Sequence, residues 1–378
     1  MALNTVSSDR LSTNVKNTNF TAAEKQDLTD DIKPLLGSSG GGNKNLIING
    51  AYLIAQRNVD ATGVSANGFA TVDRFTADQS GTDEYIEQHQ VDVSSGTTPY
   101  TLGFRKAFQV KNGNQSSGAG TSDRVTIAYK IEAQDMANSG WNYNSASSFV
   151  TFSYWVKSSV AQNFYNRFKS ADSPSQAYVT ETGSLSADTW TKITKTISGN
   201  SNIVFNNDNG EGLEITWELF RGTSQTGTRP LNAWAASDNN TRTPDQTSTW
   251  YTTNDATFEI TGVQLEVGSV ATDFEHRSYQ DELYRCYRYY VQRNFTTLLG
   301  STSGSVGFPR INYPVVMRAA ASTYINYDNT NGAMRNQNDG SKLTGVSTYN
   351  HYDYGFDARG GGSGNTIYSS TYYADAEL

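Results

Sequence analysis

Apolar residues recur at every second position through most of this 378-residue chain, and that period excludes most folds. Leu102, Phe104, Phe108 and Val110 share one parity. So do Val125, Ile127, Tyr129 and Ile131, and again Leu213, Ile215, Trp217 and Leu219. On an extended backbone successive side chains point to opposite faces, so each run gives one apolar and one polar face. Residues 149–156 form a denser aromatic run, as expected for a central strand. Polar turn clusters such as Lys111-Asn-Gly-Asn114 and Asn206-Asn-Asp-Asn-Gly210 separate the runs. Many short alternating strands with polar turns, and no long helical pattern, predict a two-sheet sandwich.

The parity breaks once. Phe258 and Ile260 lie on one face of their run, while Val263, Leu265 and Val267 lie on the other. A β-bulge near Gly262 restores a single apolar face, because one extra residue shifts the register. Abundant Gly, Ser, Thr and Asn, with 23 Tyr, agree with an all-β chain, since strands favour Tyr and Thr and turns favour Gly and Asn.

Residues 1–42 differ from the rest. Thr21-Ala-Ala-Glu24 has capping-box spacing, and Leu28, Ile32 and Leu35 follow on one helical face until Pro34 kinks or stops the helix. Gly37-Ser-Ser-Gly-Gly-Gly42 reads as a flexible linker. So short a helix does not stand alone, which makes residues 1–36 an expected docking segment. The sandwich is expected over 43–274 and a connecting amphipathic helix over 275–290. A second small β domain, rich in Tyr and glycine-bearing loops, is expected over 291–378.

Three segments in order resemble a known group. Gly262-Val-Gln-Leu-Glu-Val-Gly268 runs on through Ala271-Thr-Asp-Phe-Glu275 to Glu282-Leu-Tyr-Arg-Cys-Tyr-Arg-Tyr-Tyr290. Upstream stand Asn45-Leu-Ile-Ile-Asn-Gly50 and Phe69-Ala-Thr-Val-Asp-Arg-Phe-Thr76; downstream stands Tyr313-Pro-Val-Val-Met-Arg-Ala-Ala320. Together they resemble tail-fibre and related virion proteins of tailed bacteriophages, most of all those of marine cyanobacterial podophages, in which this segment ends a jelly-roll domain. The resemblance implies a jelly roll of the carbohydrate-binding-module kind. It also implies a homotrimer in a virion, made in a host cytoplasm, as a tail or capsid appendage. In that reading residues 1–36 meet another tail or portal-proximal virion protein. The C-terminal domain meets a host surface glycan or outer-surface protein. Two alternatives remain open: a fibre-borne enzyme that cleaves polysaccharide, and a capsid-vertex knob with no receptor role.

The residues themselves point away from catalysis. His89, His276 and His351 are scattered, without zinc-ligand spacing, and His276 is expected to pack or hydrogen-bond at the domain seam. No nucleophile motif or phosphate-cradling loop occurs, and no dense Asp/Asn loop suggests calcium, so no catalytic residue, metal or cofactor is expected. A formal charge of −8 argues against nucleic acid, and no stretch has the roughly 20 apolar residues that span a bilayer. The single cysteine, Cys286, excludes an internal disulfide framework. Candidate receptor contacts are aromatic residues in polar loop contexts: Trp234, Trp250 and Tyr251 in the body, and Tyr349, Tyr352 and Tyr354 near the C-terminus. Trp141 and Tyr143 share that context. On a strand, 352 and 354 would share one face, with 349, 351 and 353 on the other. Arg285 and Arg288, beside Tyr284, Tyr287, Tyr289 and Tyr290, are placed to make cation–π pairs at the seam.

Overall fold

In the computed structural model, which describes residues 44–63, 68–299, 301–302, 305–306, 309–360 and 366–378, the alternating segments pair into antiparallel sheets. The expected docking segment and Gly/Ser linker lie outside the described residues. In chain order the strands of the body are β1 (Asp60–Ala61), β2 (Phe75–Ser80), β3 (Glu87–Asp92), β4 (Lys106–Lys111), β5 (Arg124–Glu132) and β6 (Phe149–Ser158). They continue with β7 (Asn163–Ser170), β8 (Gln176–Ser184), β9 (Thr191–Ser198), β10 (Glu211–Arg221), β11 (Trp234–Ala236) and β12 (Thr257–Val267). One sheet has the order β1-β3-β4-β12-β6-β9 and the other β11-β8-β7-β10-β5-β2. This is the all-β sandwich that the period of two requires.

The core sits between the sheets. Register places Trp217 opposite Ile127 on one side and Asn166 on the other, with Ile215 opposite Tyr129 and Phe168. Trp217 is the centre of an aromatic cluster, with the rings of Phe152, Tyr154 and Phe75 at 5.7, 5.8 and 6.1 Å. The polar face of β10 is also covered. Thr216, Glu218 and Arg221 are buried there, and Arg221 pairs with Glu218 at 2.7 Å while Arg167 of β7 donates to Ser237 Oγ at 2.8 Å. A strand can therefore alternate in chemistry and still be buried on both faces, provided the polar side has partners.

Two details of the alternation resolve differently. The bulge is where the parity break puts it: register shifts between Thr261 and Gln264, Gly262 has φ +63°, and Phe258, Ile260, Val263 and Leu265 all face the core. A Cβ on Gly262 would stand 2.5 Å from the Phe104 ring. Leu102 and Phe104, however, do not extend β4. Pro99 opens a helical turn over Thr98–Thr101 and Gly103 takes φ +98°, so the strand starts only at Lys106. Leu102 is exposed, and Phe104 joins a small separate cluster with Val93 and Ala107. His276 lies beside that cluster rather than at the seam, with Nε2 2.9 Å from the Leu102 carbonyl.

The connecting helix spans Tyr279–Tyr287, shorter than the expected 275–290. Ser278 caps it, its hydroxyl accepting from Asp281 N at 3.1 Å, and Tyr290 already belongs to β13 (Tyr290–Leu299). Beyond it come β14 (Ser301–Thr302), β15 (Ser305–Val306), β16 (Arg310–Asn312), β17 (Ser322–Tyr327), β18 (Thr330–Asn331) and β19 (Met334–Asn336). The last are β20 (Lys342–Leu343), β21 (Ser347–Tyr349), β22 (Gly355–Arg359) and β23 (Thr366–Asp375). β23 carries β13 along one edge and β17 and β19 along the other, while β16, β22 and β21 form a three-stranded sheet. They enclose a second core that includes Val291, Ile325, Met334, Phe356 and Tyr372.

Residues 45–378 form one compact unit, and the two cores are joined by buried charge. Cation–π pairs do form at the seam, but the cations are not those expected. Arg74 lies over Tyr289 at 3.3 Å and Arg57 over Tyr290 at 3.6 Å, both reaching from the body. Arg288 instead forks onto Glu132 with two bonds of 2.7 Å. A planar guanidinium prefers a bidentate carboxylate where one is within reach. The C-terminus closes the seam: Glu377 pairs with Arg74, and Arg318 donates to the Ala376 carbonyl at 2.7 Å. Cys286 is buried here, and burial pushes its thiol well above the ordinary value.

Asp73 lies in the same seam, accepting from the Gln56 backbone N–H at 2.9 Å. Burial raises its carboxyl to about 6, only partly offset by Arg57 and by the bonds from Gln56. A carboxyl raised on folding contributes stability that is present below its unfolded value, near 4, and lost as pH rises through the folded value. The difference corresponds to on the order of 2–3 kcal/mol. The chain is thus expected to gain stability, relative to Asp73→Asn, as pH falls from 7 to 5. Urea unfolding of both proteins across that range measures it; parallel profiles would refute it.

Candidate recognition surface

The exposed tyrosines near the C-terminus are set by a hairpin. β21 and β22 pair antiparallel, with Tyr349 opposite Asp357, and residues 350–354 connect them. Asn350 opens the connection in the left-handed region at φ +47°. Three backbone bonds then fix the loop: Tyr352 N to Gly355 O at 2.9 Å, Tyr313 N to Tyr354 O at 2.9 Å, and Met317 N to Asp353 O at 2.7 Å. Gly355 is required here, since a Cβ would stand 2.4 Å from the Ile311 carbonyl oxygen. The loop is therefore stiff, although it has no regular structure.

Its side chains do not divide by alternation, because 352–354 is not a strand: Tyr349, Tyr352, Asp353 and Tyr354 are all exposed, and only His351 is partly covered. Tyr352 and Tyr354 stack with ring centroids 5.0 Å apart and planes 11° from parallel, and they are 38 % and 45 % exposed. Behind them Arg310 of β16 lies 4.9 Å from the first ring and 5.7 Å from the second. Arg310 is itself held by Asp357, its cross-strand neighbour, which Asn350 Nδ2 also bonds at 2.8 Å. The Arg310 bonds hold the Asp357 carboxyl below the usual carboxylate range, and the same pairing raises the guanidinium. Tyr349 is exposed beside Arg359, at 5.7 Å, and His351 turns inward with Nδ1 3.1 Å from the Ala321 carbonyl. A second stacked pair, Tyr324 and Tyr373, stands on β17 and β23 at 4.5 Å and 4°. Aromatic faces with hydroxyl tips, carried on rigid backbone, offer contact area at a small cost in entropy.

The body's candidates divide against expectation. Trp250 and Tyr251 are fully buried and cannot meet a receptor. Trp250 donates its indole N–H to the Thr257 carbonyl at 3.1 Å; Tyr251 stacks on Phe220 at 4.3 Å and donates to Asp123 at 3.0 Å. They cap the sandwich core, as Trp141 does at 3 % exposure. Polar neighbours in sequence suggested exposure, but a short helical turn at Thr249–Thr252 folds both rings inward. Trp234 is half-buried on edge strand β11, packed on Tyr178 at 5.4 Å, and its indole donates to the Ser198 carbonyl at 2.7 Å. Sequence reasoning missed Arg310, Asp357 and Asn350, which brace the stacked pair. Arg310 lies some 40 residues upstream, and only strand register brings it near. Among the described residues no group of three or more His, Cys, Asp or Glu is placed to hold a metal. No described helix is long and apolar enough to cross a membrane.

No protein-family model matches the chain, and no curated protein sequence matches it. Solved structures do. The enzymatically active domain of bacteriophage CBA120 tailspike protein 4 is similar over 60 % of this chain, at 11 % identity and a TM-score of 0.31; this chain spans only 22 % of that one. The N-terminal cellulose-binding domain of Cellulomonas fimi β-1,4-glucanase C is similar over 58 % of this chain and all of its own length, at 12 % identity and a TM-score of 0.28. A family 11 carbohydrate-binding module from Clostridium thermocellum is similar over 57 % of this chain and 96 % of its own length, at 10 % identity and a TM-score of 0.25. Likenesses this weak leave the functional reading to the side chains of this protein.

Proposed function

We propose that the protein is a non-enzymatic virion component, a trimeric tail fibre that attaches by residues 1–36 and binds a host surface glycan through its C-terminal region. One observation carries the reading: the exposed Tyr352–Tyr354 stack, held rigid by Arg310 and Asp357. Sugar rings present C–H faces and hydroxyl edges, which suit an aromatic face with phenol and guanidinium donors beside it. Two such rings contribute on the order of 2 kcal/mol, so useful affinity rests on three copies acting together. The order of motifs shared with tail-fibre proteins supports the virion setting.

The test uses the full chain, because the seam ties residues 290–378 to the body. Light scattering should give about three times 41.4 kDa. The protein should compete with phage for adsorption to host cells, and the double variant Tyr352→Ala/Tyr354→Ala should not, while melting like the wild type. Equal competition by both proteins would sink the assignment of the site. Release of reducing sugar from host envelopes would favour the polysaccharide-cleaving alternative.

A further inference from the structure

The outer face of the β12-containing sheet carries a pocket, and no described tyrosine of the C-terminal region lines it. After β12 the chain turns back over this face. Glu275 N donates to Gln264 Oε1 at 2.9 Å, and Thr272 donates to Glu266 through both its N–H and its hydroxyl, at 2.9 and 2.6 Å. The strap so pinned lays Phe274 and His276 against Phe104. The three rings are mutually 4.9–5.1 Å apart. Gly262 makes this possible, since a side chain on the bulge would collide with Phe104. These rings and Trp155 of β6 line a cavity of about 280 Å³, together with Gly262 and Ser153, and Lys192 and Asp273 contribute charge.

We propose that this pocket binds one pyranose ring, so that the protein has a glycan subsite in its body besides the tyrosine surface. The inference rests on the glycan-binding reading above and extends it to a separate place. Size limits the ligand: at about 280 Å³ the cavity lies just below the roughly 300–1,000 Å³ of drug-sized sites, so it takes no more than a single ring. Chemistry sets its class. Trp155 is half-buried and lines the cavity with Phe104, Phe274 and His276, giving apolar surface for the C–H faces of a sugar. Lys192 is exposed and makes no ion pair among the described residues, so its ammonium is a donor for hydroxyls or a carboxylate. Asp273 supplies acceptors. His276 donates Nε2–H to the Leu102 carbonyl, which leaves Nδ1 as its second ring nitrogen for a ligand hydroxyl. Aromatic walls with a few donors and acceptors of both signs fit a polyol better than an apolar ligand.

The experiment is saturation-transfer NMR on the full-length protein with methyl glucoside, methyl galactoside, N-acetylglucosamine and methyl glucuronide as probes. Binding of at least one probe is expected. It should weaken tenfold or more in Trp155→Ala and in Lys192→Met, and persist in Tyr352→Ala/Tyr354→Ala. Lys192 is exposed, so that variant should fold even if Trp155→Ala does not. Failure of all four probes to bind, or binding that survives Lys192→Met and Phe274→Ala, overturns the pocket while leaving the adsorption result to judge the tyrosine surface. Probe binding that depends on Lys192, with adsorption unaffected by the tyrosine variant, keeps the pocket and removes the tyrosine assignment.

Discussion

Replacing Glu132 by alanine is expected to lower the stability of the folded chain by about 3 kcal/mol, because one carboxylate holds three groups of the seam. Glu132 is fully buried and accepts from Arg288 twice, from the Tyr289 hydroxyl at 2.6 Å and from Gln134 at 2.6 Å. Burial alone would raise its carboxyl; the bonds from Arg288 and Tyr289 outweigh it and hold the group below the ordinary glutamate value. The alanine variant leaves a guanidinium and a phenol without their acceptor. The cost stays at the low end of the range for broken buried pairs, since the Arg288 side chain is 32 % exposed and reaches water. Sign follows from the lowered carboxyl: the stabilisation is present above the unfolded value and lost as pH falls through the folded one. Urea unfolding at pH 7 should thus separate the two proteins clearly, and the gap should close in acid, below about pH 4. A gap under roughly 1 kcal/mol at pH 7 would mean that the seam is held by the arginine–tyrosine contacts instead.

Trp250→Ala is expected to cost about 3–5 kcal/mol, whereas Tyr352→Ala should cost under about 0.5 kcal/mol. Both residues are aromatic and both stand among Ser, Thr and Asn in the sequence. Trp250 fills the end of the sandwich core, with its backbone N–H bonded to Gln162 at 2.9 Å and its indole to Thr257. Truncation leaves a large cavity, and the Thr257 carbonyl loses the indole donor and keeps only the Ser159 N–H. Tyr352 rests on Tyr354 and Arg310 at the surface, where water replaces the lost contact. Thermal melts of the two variants make the comparison. Similar losses would show that the 350–354 loop carries structural weight, and would undercut its use as a recognition surface.

Much of the fold was legible because alternation is a local property. Ile215 and Trp217 face the core for the same reason that they alternate with Glu214 and Thr216. The bulge at Gly262 was legible too, because only an extra residue reconciles Ile260 with Val263 on one face. Strand ends were less so: Leu102 and Phe104 keep the parity of β4, but Pro99 and Gly103 bend the backbone out of the sheet before Lys106.

By itself the sequence determined the period, the break in it and the all-β class, since each follows from the spacing of side chains on one segment of backbone. Only the tertiary structure decided which aromatics are available. Trp250 and Tyr352 differ in what covers them, and that cover comes from residues dozens of positions away. The same holds for charge. Arg74, Arg57 and Glu377 meet at the seam, and Arg310 meets the Tyr352–Tyr354 pair, through register and closure rather than through any local pattern. Burial and pairing depend on the whole chain, so they become readable only once the sheets have closed.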